Sequence, residues 1–337
     1  MIDLHSHILP GVDDGARSMA EAVELCRAAA DDGCTAIVAT PHQRRAEWWN
    51  GDRGWLVALA SSLRRELHER EIAIEVRLGA EVHVDTQLLA EVEQLPAGSI
   101  LPLAGTHYLL LELAGHPPAG PGVPPGAGAA IHLIHELVVA GWHPVLAHPE
   151  HIRWLAEDMP LVERLVSLGA ALQVTAMSLT GGFGRRPQQC VQALLDAGLV
   201  HFVASDCHDL QRRPPGLRRA YDLIAARWGE PLARRVLVDN PRAVLDDRRL
   251  PGSAPLEART AQAAPAPSTE PPLPLAAAAR SLRLVGRVNT ASLAIPPRPA
   301  NPAPAAGIAD AGLEAAAEGA GSTPQGTPGP PRRPILV

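Results

Sequence analysis

The sequence predicts a parallel α/β fold, a closed or distorted barrel, for about the first 250 of its 337 residues. Three observations indicate this fold. Strand-like apolar runs alternate with amphipathic helical runs, most of these strands end in a histidine or a carboxylate, and the composition changes near Pro251. In a parallel barrel the carboxyl ends of the strands meet on one face, whereas an open sheet would spread them along an edge.

Seven strand-like runs alternate with helical patterns along the chain, as expected for β/α units. The predicted strands are Met1–His7, Ala36–Thr40, Ile74–Glu81, Tyr108–Leu113, Pro144–His148, Ala171–Thr175 and His201–Ser205. Ser18 opens the first helix, with Glu21 three residues later as a capping box. The other predicted helices are Arg53–Glu71, Ile131–Ala140, Leu161–Leu168, Gln188–Ala197, Leu217–Trp228 and Pro231–Val238.

The composition excludes several classes of protein. A net charge of −6 and a pI near 6.2 give no indication of a nucleic-acid-binding surface. All 30 basic residues are arginines, which excludes chemistry that needs a Schiff-base or carbamylated lysine. The chain has no apolar run of about 18 residues, the length that spans a membrane. Its start lacks the pattern of a signal peptide, and its four cysteines form no CxxC pair, so a cytoplasmic protein with reduced thiols is expected.

Residues 251–337 are predicted to form a disordered tail beyond a domain that covers residues 1–250. All the Trp, Tyr and Phe residues precede this tail, and roughly half of the 34 prolines lie within it. A segment without aromatic residues buries too little apolar surface to offset the entropy cost of ordering. One short element around Ser281–Val288 is the exception considered.

Six of the seven predicted strand ends carry a histidine or a carboxylate. His5 and His7 are two residues apart on the first strand, so both rings lie on the same side of it. Asp206 and His208 repeat this spacing after the last strand. The strand that ends near Thr175 offers no strong ligand. The remaining four ends carry His42, Glu81, Glu112 and His148.

This pattern predicts a cluster of two or three metal ions. Glu112 lies inside the apolar run LLLEL, where a carboxylate is costly to bury unless it is paired or bound to metal. Asp13 and Asp14, in the loop after the first strand, are within reach of the same face. Imidazole and carboxylate suit Zn, Mn or Fe, and so many ligands exceed the needs of one ion. The histidines without this placement are interpreted as structural: His107, His116, His132, His135, His143 and His201.

Several segments resemble the polymerase and histidinol phosphatase (PHP) superfamily. In chain order these are HSH, TPH, GAE, LLEL, AHPE and SDCH. More narrowly, MIDLHSHILPGVDDG, LQVTAMSLTGGFG, ASDCHDLQRRPP and VDNPRAVL resemble its bacterial tyrosine-phosphatase branch, of the CpsB/CapC/YwqE type. The resemblance covers residues 1–250.

The resemblance implies a distorted (β/α)7 barrel and a trinuclear site, most often loaded with manganese, with Fe or Zn as alternatives. By motif, the ligands would be His5, His7, Asp14, His42, Glu81, Glu112, His148, Asp206 and His208. Asp13 would support them from outside the ligand set. Arg213, in the RPP motif, would hold the substrate phosphate, and Asp206 and His208 would share in catalysis.

The implied reaction is hydrolysis of a phosphomonoester by a hydroxide that bridges two metal ions and attacks phosphorus. The implied substrate is a phosphotyrosine protein, namely a bacterial tyrosine kinase that controls capsular or exopolysaccharide synthesis. One departure bears on this expectation. The family usually reads AHPER, whereas this chain reads AHPEH, with His151 in place of an arginine that resembles a phosphate clamp. Arg44 or Arg153 is a candidate replacement.

Four different functions remain open from the sequence. A histidinol-phosphatase-like enzyme and a non-catalytic regulatory PHP domain use the same fold. A cysteine phosphatase is suggested by Cys207 and Arg213, which fit C-x5-R, but the residues between them contain no glycine and the flanking Asp206 and Asp209 oppose a thiolate. An amidohydrolase also begins with HxH, although its two-metal forms commonly need the lysine that this chain lacks. The sequence does not determine the metal, the substrate or the oligomeric state.

Overall fold

The computed structural model describes residues 1–85, 88, 92, 98–115 and 127–250. The predicted tail 251–337, with the element considered at Ser281–Val288, lies outside the described residues. The described part contains nine strands: β1 (Ile2–Ser6), β2 (Ala36–Ala39), β3 (His42–Gln43), β4 (Glu75–Leu78), β5 (Glu81–His83), β6 (Tyr108–Glu112), β7 (His143–Ala147), β8 (Ala171–Thr175) and β9 (Phe202–Ala204).

Ten α-helices in the described residues follow or separate these strands. They are α1 (Met19–Asp31), α2 (Arg53–Glu69), α3 (Ala127–Val139), α4 (Arg153–Ala156), α5 (Met159–Ser167), α6 (Ala176–Leu179), α7 (Arg185–Asp196), α8 (Arg218–Trp228), α9 (Glu230–Arg234) and α10 (Asn240–Leu245). Every strand pairing is parallel, in the orders β1-β2-β4 and β3-β5-β6-β7-β8-β9. The predicted parallel α/β barrel is confirmed.

The barrel closes where β9 returns beside β1. The His7 backbone N–H donates to the Cys207 carbonyl at 2.9 Å, and the Asp206 N–H donates to the His5 carbonyl at 2.9 Å. The carboxylate of Asp3, near the start of β1, accepts a further hydrogen bond of 3.0 Å from the N–H of Ser205, directly after β9. These contacts bring the ends of the first and last strands together.

The second and third strand positions of the barrel are each occupied by two short strands. The second continues past a break as β3, and Pro41, which has no N–H, stands at this break. The third is interrupted at Gly79, where an added Cβ would lie 3.0 Å from the Leu103 Cα. The chain stays paired across both breaks, because Gly79 N–H donates to Ala39 O at 2.8 Å and Glu81 N–H to Pro41 O at 3.2 Å. The barrel therefore has seven strand positions, as the resemblance implied.

A bulge in β1 sets the direction of the first two histidines. β1 has one more residue than β2 in the stretch between the pairs Asp3–Ile37 and Ser6–Ala39. Ser6 consequently turns to the neighbouring strand, where its hydroxyl donates to the Val38 carbonyl at 2.8 Å. His5 and His7, on either side of Ser6, face the barrel interior at its mouth.

Apolar side chains fill the barrel below the mouth and the layer between strands and helices. The interior cluster contains Leu4, Val38, Leu110, Val145 and Phe202, all essentially without solvent exposure. A larger cluster joins the outer faces of the strands to the helices. No helix in the described part of the chain is long and apolar enough to cross a membrane.

The helix predictions are largely confirmed, with two differences. Ser18 caps α1 by accepting from the Glu21 N–H at 3.2 Å, but the Glu21 carboxylate accepts from the Arg17 N–H rather than completing the capping box at Ser18. The predicted helix Pro231–Val238 begins as α9 and continues as a π-helical turn at Arg235–Asp239. Pro241 lacks the N–H that would continue regular α-helical bonding through this segment. The short helices α4, α6 and α10 had no periodic signal in the sequence.

Replacing Gly15 by alanine is expected to destabilise the protein. The loop after β1 folds back on itself here, so that an added Cβ would lie 2.0 Å from the His7 carbonyl oxygen and 2.5 Å from the His7 Cβ. We expect Gly15→Ala to lower the free energy of unfolding in urea by about 1–3 kcal/mol, the usual range for overpacking. Gly216→Ala is the control, because nothing lies within 4 Å of its added Cβ. Equal stability of the two variants would contradict the close packing of this loop.

Candidate metal centre and active-site cleft

The mouth of the barrel gathers all nine side chains that the resemblance named as ligands. They form four overlapping groups, in each of which the donor atoms all lie within 4.8 Å of one another. The groups are His7, Asp14, His42 and His208; His5, His7 and Glu81; His5, His148 and Asp206; and His42, Glu81 and Glu112. Residues from the first strand to the loop after the last strand thus meet at one place, as the strand ends predicted.

Glu81 lies at the centre of this arrangement. Its side chain has no solvent exposure, and its carboxylate oxygens lie 2.7 Å from His148 Nε2, 2.7 Å from His42 Nδ1 and 3.5 Å from His5 Nε2. Burial alone would raise the pKa of Glu81, but the rings of His5, His148 and His42 outweigh burial and hold the pKa well below its usual range. The carboxylate is therefore ionised.

The geometry around Glu81 fits a bound cation. His42 Nδ1 and Glu81 Oε2 approach closely without hydrogen-bond geometry, and neither buried atom has a hydrogen-bond partner among the described residues. Buried polar atoms of this kind are costly unless they are satisfied by another group. A mixed set of imidazoles and carboxylates is a suitable coordination environment for Mn, Fe or Zn.

His5 and His7 direct their Nε2 atoms to a common point. These two atoms lie 3.2 Å apart, and each lies 3.4 Å from Asp206 Oδ1. The other nitrogen of each ring, Nδ1, makes a hydrogen bond to a supporting residue. His7 Nδ1 donates to Asp13 Oδ2 at 2.8 Å, and His5 Nδ1 donates to Gln173 Oε1 at 2.8 Å. Such hydrogen bonds fix the orientation of each ring and place a proton on Nδ1, so that Nε2 can bind metal once it carries no proton.

Asp13 and Gln173 are supporting residues outside the ligand groups. Asp13 was predicted in this place, and it also accepts from the backbone N–H groups of His42 at 3.1 Å and Gly15 at 3.0 Å. Gln173 was missed. It stands on β8, the strand that offers no ligand, and a buried glutamine in the run ALQVT was the signal that could have found it.

Asp14, His42 and His208 form the outer group of donors. Asp14 Oδ1 lies 3.4 Å from His42 Nε2 and 3.3 Å from His208 Nε2. The side chain of Asp14 is 43% exposed, so the outer group borders solvent, whereas the side chain of Glu81 is fully buried. Partial burial would raise the pKa of Asp14, but the hydrogen bonds from His208 and His42 outweigh burial and hold the pKa below its usual range.

Arg213 reaches the cleft from the loop after β9. One of its Nη atoms donates to Asp206 Oδ2, and the other lies 3.1 Å from His208 Nε2. Its guanidinium carbon lies 6.0 Å from the centre of the Phe183 ring. The sequence-predicted catalytic residues Asp206, His208 and Arg213 are therefore in mutual contact.

The cleft has a volume of about 250 Å³ and opens above the ligand groups. His151 lines it, with its Nε2 2.9 Å from the Ser178 hydroxyl and its ring edge against Phe183 at 4.8 Å between centroids. Burial lowers the pKa of His151 to about 4, and the neighbouring His148 adds to this effect. The imidazole is neutral at pH 7, unlike the arginine expected there.

The replacements considered for that arginine do not line the cleft. Arg44 is buried, with its guanidinium 2.6 Å from the Asp85 carboxylate, and Arg153 is exposed beside Glu157. Arg45 lines the cleft instead, and it contacts Glu112 through two nitrogen atoms. No local pattern in the sequence distinguishes between adjacent arginines in a loop.

The histidines interpreted as structural lie away from the cleft where they are described. His107 pairs with Asp247 at 2.7 Å, His132 and His135 approach Glu136, and the ring of His143 packs against Tyr108. His201 Nδ1 accepts from the Leu172 N–H at 3.2 Å. His116 lies outside the described residues.

The fold and the site together define a PHP-like metal-dependent hydrolase, with clustered histidines and carboxylates at the carboxyl ends of a parallel barrel. The family model for capsular polysaccharide synthesis, CpsB/CapC, matches residues 1–246. The chain belongs to this CpsB/CapC family, which confirms the resemblance.

Characterised relatives support this assignment. The chain is 34% identical to the tyrosine-protein phosphatase YwqE of Bacillus subtilis (strain 168) over 74% of its length and 93% of the relative. It is 32% identical to the tyrosine-protein phosphatase CpsB of Streptococcus pneumoniae over 74% of its length and 99% of the relative. A crystal structure from work on these two enzymes, described as unique metal-dependent tyrosine phosphatases, matches with a TM-score of 0.68 and 32% identity over 74% of this chain and 96% of that one.

Binding of a divalent metal ion at pH 7, with Mn²⁺ as the probe, is expected to release protons. Burial lowers the pKa of His148, but Glu81 outweighs it and raises the value to about 9, and Asp13 likewise outweighs burial and holds the pKa of His7 well above its usual range. Both rings thus carry a proton without metal, and an imidazole must lose it to coordinate. Calorimetric titration in two buffers of different ionisation enthalpy measures this release.

Two variants make this measurement specific. His148→Gln removes a ring whose pKa is raised to about 9, so fewer protons should be released. His132→Gln changes an exposed histidine whose ion pair is with Glu136, outside the cleft, and it should behave as wild type. Equal heats in both buffers for the wild-type protein would contradict the protonation of His7 and His148 in the metal-free protein.

Proposed function

We propose that this protein hydrolyses phosphotyrosine in protein substrates, with two or three bound Mn²⁺ ions. As a member of the CpsB/CapC family it is a metal-dependent tyrosine phosphatase. The observation that carries the finer proposal is the convergence of nine potential ligands, Arg213 and Phe183 on one cleft of about 250 Å³.

The donor set supports the choice of metal without excluding others. Five imidazoles and four carboxylates form the ligand groups, and none of the nine is a cysteine, which would favour zinc. When bound, the ions would supply Lewis acidity, which lowers the pKa of a coordinated water and neutralises charge on the phosphoryl oxygens. We propose His5, His7, Asp14, His42, Glu81, Glu112, His148, Asp206 and His208 as the residues that hold them.

The remaining polar groups orient and bind the substrate. Arg213 is held by Asp206 and His208, so its guanidinium is fixed before a phosphate arrives. A planar guanidinium can bind two phosphoryl oxygens at once. Phe183 lies beside Arg213 and offers an apolar surface for the tyrosine ring. Trp48 stacks on His42 with 5.3 Å between ring centres and is partly exposed near the same site.

We further propose that the substrate is an autophosphorylating bacterial tyrosine kinase that controls capsular or exopolysaccharide synthesis, and that the protein is cytoplasmic. The family's role in capsular polysaccharide synthesis supports the first point. The four cysteines are free thiols and three of them are buried, which is compatible with a reducing compartment.

The structure disfavours a cysteine phosphatase. Cys207 is fully buried, and burial raises its pKa well above the usual range for a thiol. A nucleophilic cysteine needs the opposite, an accessible thiol with a lowered pKa. A histidinol-phosphatase-like enzyme and a non-catalytic domain are separated from the proposal by assays of metal-loaded protein on a phosphotyrosine peptide and on histidinol phosphate.

Chelation is expected to abolish phosphatase activity, and added Mn²⁺ to restore it. Cys207→Ala should keep most of the activity, because the thiol is buried and does not reach the cleft. Turnover of a phosphotyrosine peptide before chelation, after chelation and after reloading tests both points. Activity that survives chelation but not the cysteine substitution would reverse the assignment, and metal-loaded protein without turnover would favour a regulatory role.

Phe183→Leu is expected to reduce selectivity for aryl phosphates. An aromatic contact contributes about 0.5–1.5 kcal/mol beyond area burial, so kcat/KM for a phosphotyrosine peptide should fall by roughly 2- to 10-fold. The same variant should act on glycerol phosphate as the wild-type protein does, since that substrate has no ring. An equal loss on both substrates would show that Phe183 only supports Arg213.

A further inference from the structure

The cleft contains a second arginine with no role in the function proposed so far. Among the described residues that line it, Arg45 and Arg213 are the two with a permanent positive charge. Each pairs with a different carboxylate of the ligand groups, Arg213 with Asp206 and Arg45 with Glu112. Their side chains are exposed to a similar extent, 31% and 30%.

The backbone separates Arg45 from the arginine before it. Arg44 has φ of +66°, a left-handed conformation that is strained for a non-glycine residue. Its side chain turns inward, where it pairs with Asp85 and lies 5.2 Å from the centre of the Trp49 ring. Arg45 is consequently directed to the cleft. A strained turn of this kind persists when the surrounding contacts fix it, and it is frequent at functional sites.

A phosphomonoester carries a charge of about −1.5 to −2 at pH 7, so a second guanidinium in the cleft would strengthen its binding. Arg213 supplies one guanidinium, and His151 does not offer its Nε2, which is engaged with the Ser178 hydroxyl. Arg45 donates to Glu112 through Nε, at 2.7 Å, and through one Nη atom. No described residue accepts a hydrogen bond from its other Nη atom. A guanidinium has five N–H groups, so this nitrogen keeps two for a further acceptor.

We propose that Arg45 binds the phosphoryl group of the substrate together with Arg213, held in position by Glu112. The substrate class rests on the proposed function, but the binding of a phosphate group stands separately from turnover. In this chain Arg45 would thus supply the positive charge that His151 does not.

The test is the affinity of Mn²⁺-loaded protein for inorganic phosphate, measured by calorimetry, together with the metal content by elemental analysis. A hydrogen bond to a charged group contributes about 1.5–3 kcal/mol. Arg45→Gln is therefore expected to weaken phosphate binding by about 10- to 100-fold, with the metal content unchanged. Arg45→Lys, which keeps the charge, should fall between this variant and the wild-type protein.

Arg153→Gln is the matched control, because Arg153 is exposed and pairs with Glu157 outside the cleft. It should bind phosphate as the wild-type protein does. Unchanged phosphate affinity of Arg45→Gln would overturn the proposal, as would loss of metal together with affinity, since Arg45 would then serve only to hold Glu112. Wild-type protein that binds phosphate but does not hydrolyse phosphotyrosine would refute the proposed function and leave this inference standing.

Discussion

The structure depends on stabilising several carboxylates that lie close together at the mouth of the barrel. Four carboxylates and five imidazoles occupy one small region, and Glu81 among them has no contact with solvent. Without metal ions, the described residues compensate this charge by protonation of imidazoles and by the ion pairs of Arg213 with Asp206 and of Arg45 with Glu112. The pKa values of His7 and His148 are accordingly raised, while those of Glu81 and Asp206 are lowered. Metal ions would replace those protons. The barrel beneath is filled with apolar side chains and provides the rigid support that such a cluster requires.

Asp13 and Gln173 show how the side chains of this cluster are held in a fixed orientation. Asp13 contacts His7, His42 and Gly15, so one carboxylate ties the loop after β1 to the end of the second strand position. Gln173 holds the ring of His5 in the same way from β8, two strands away. A strand that supplies no ligand is therefore still part of the site, because the orientation of an imidazole is set by the hydrogen bond of its other nitrogen.

The family resemblance decided between Asp13 and Asp14. The sequence pattern itself was sufficient for the strand positions and for the convergence of the other eight side chains, because parallel strands bring their carboxyl ends to one face. It was not sufficient for features that depend on contacts across the fold. The bulge in β1 that aims His5 and His7 is visible only in the pairing with β2. The break at Gly79 arises from the close approach of Leu103, and the inward turn of Arg44 depends on Asp85. Each involves a partner that no local pattern identifies.

The state of the imidazoles also bears on which phosphate esters suit this cleft. In three of the histidines, Nδ1 already has a hydrogen-bond partner, and the other ring nitrogen faces the candidate metal site. The partners of Nδ1 are Gln173 for His5, Asp13 for His7 and the Asp206 carbonyl for His208. His151, near Ser178, is neutral at pH 7 because its pKa is about 4. None of these described histidines is placed as a free general acid. A tyrosyl ester tolerates this, since its phenol has a pKa of about 10 and leaves readily as the phenolate. An alkyl ester such as histidinol phosphate expels a much more basic alkoxide. The cleft should therefore favour the aryl ester because its leaving group is less basic, in addition to the contact that Phe183 offers to an aromatic ring.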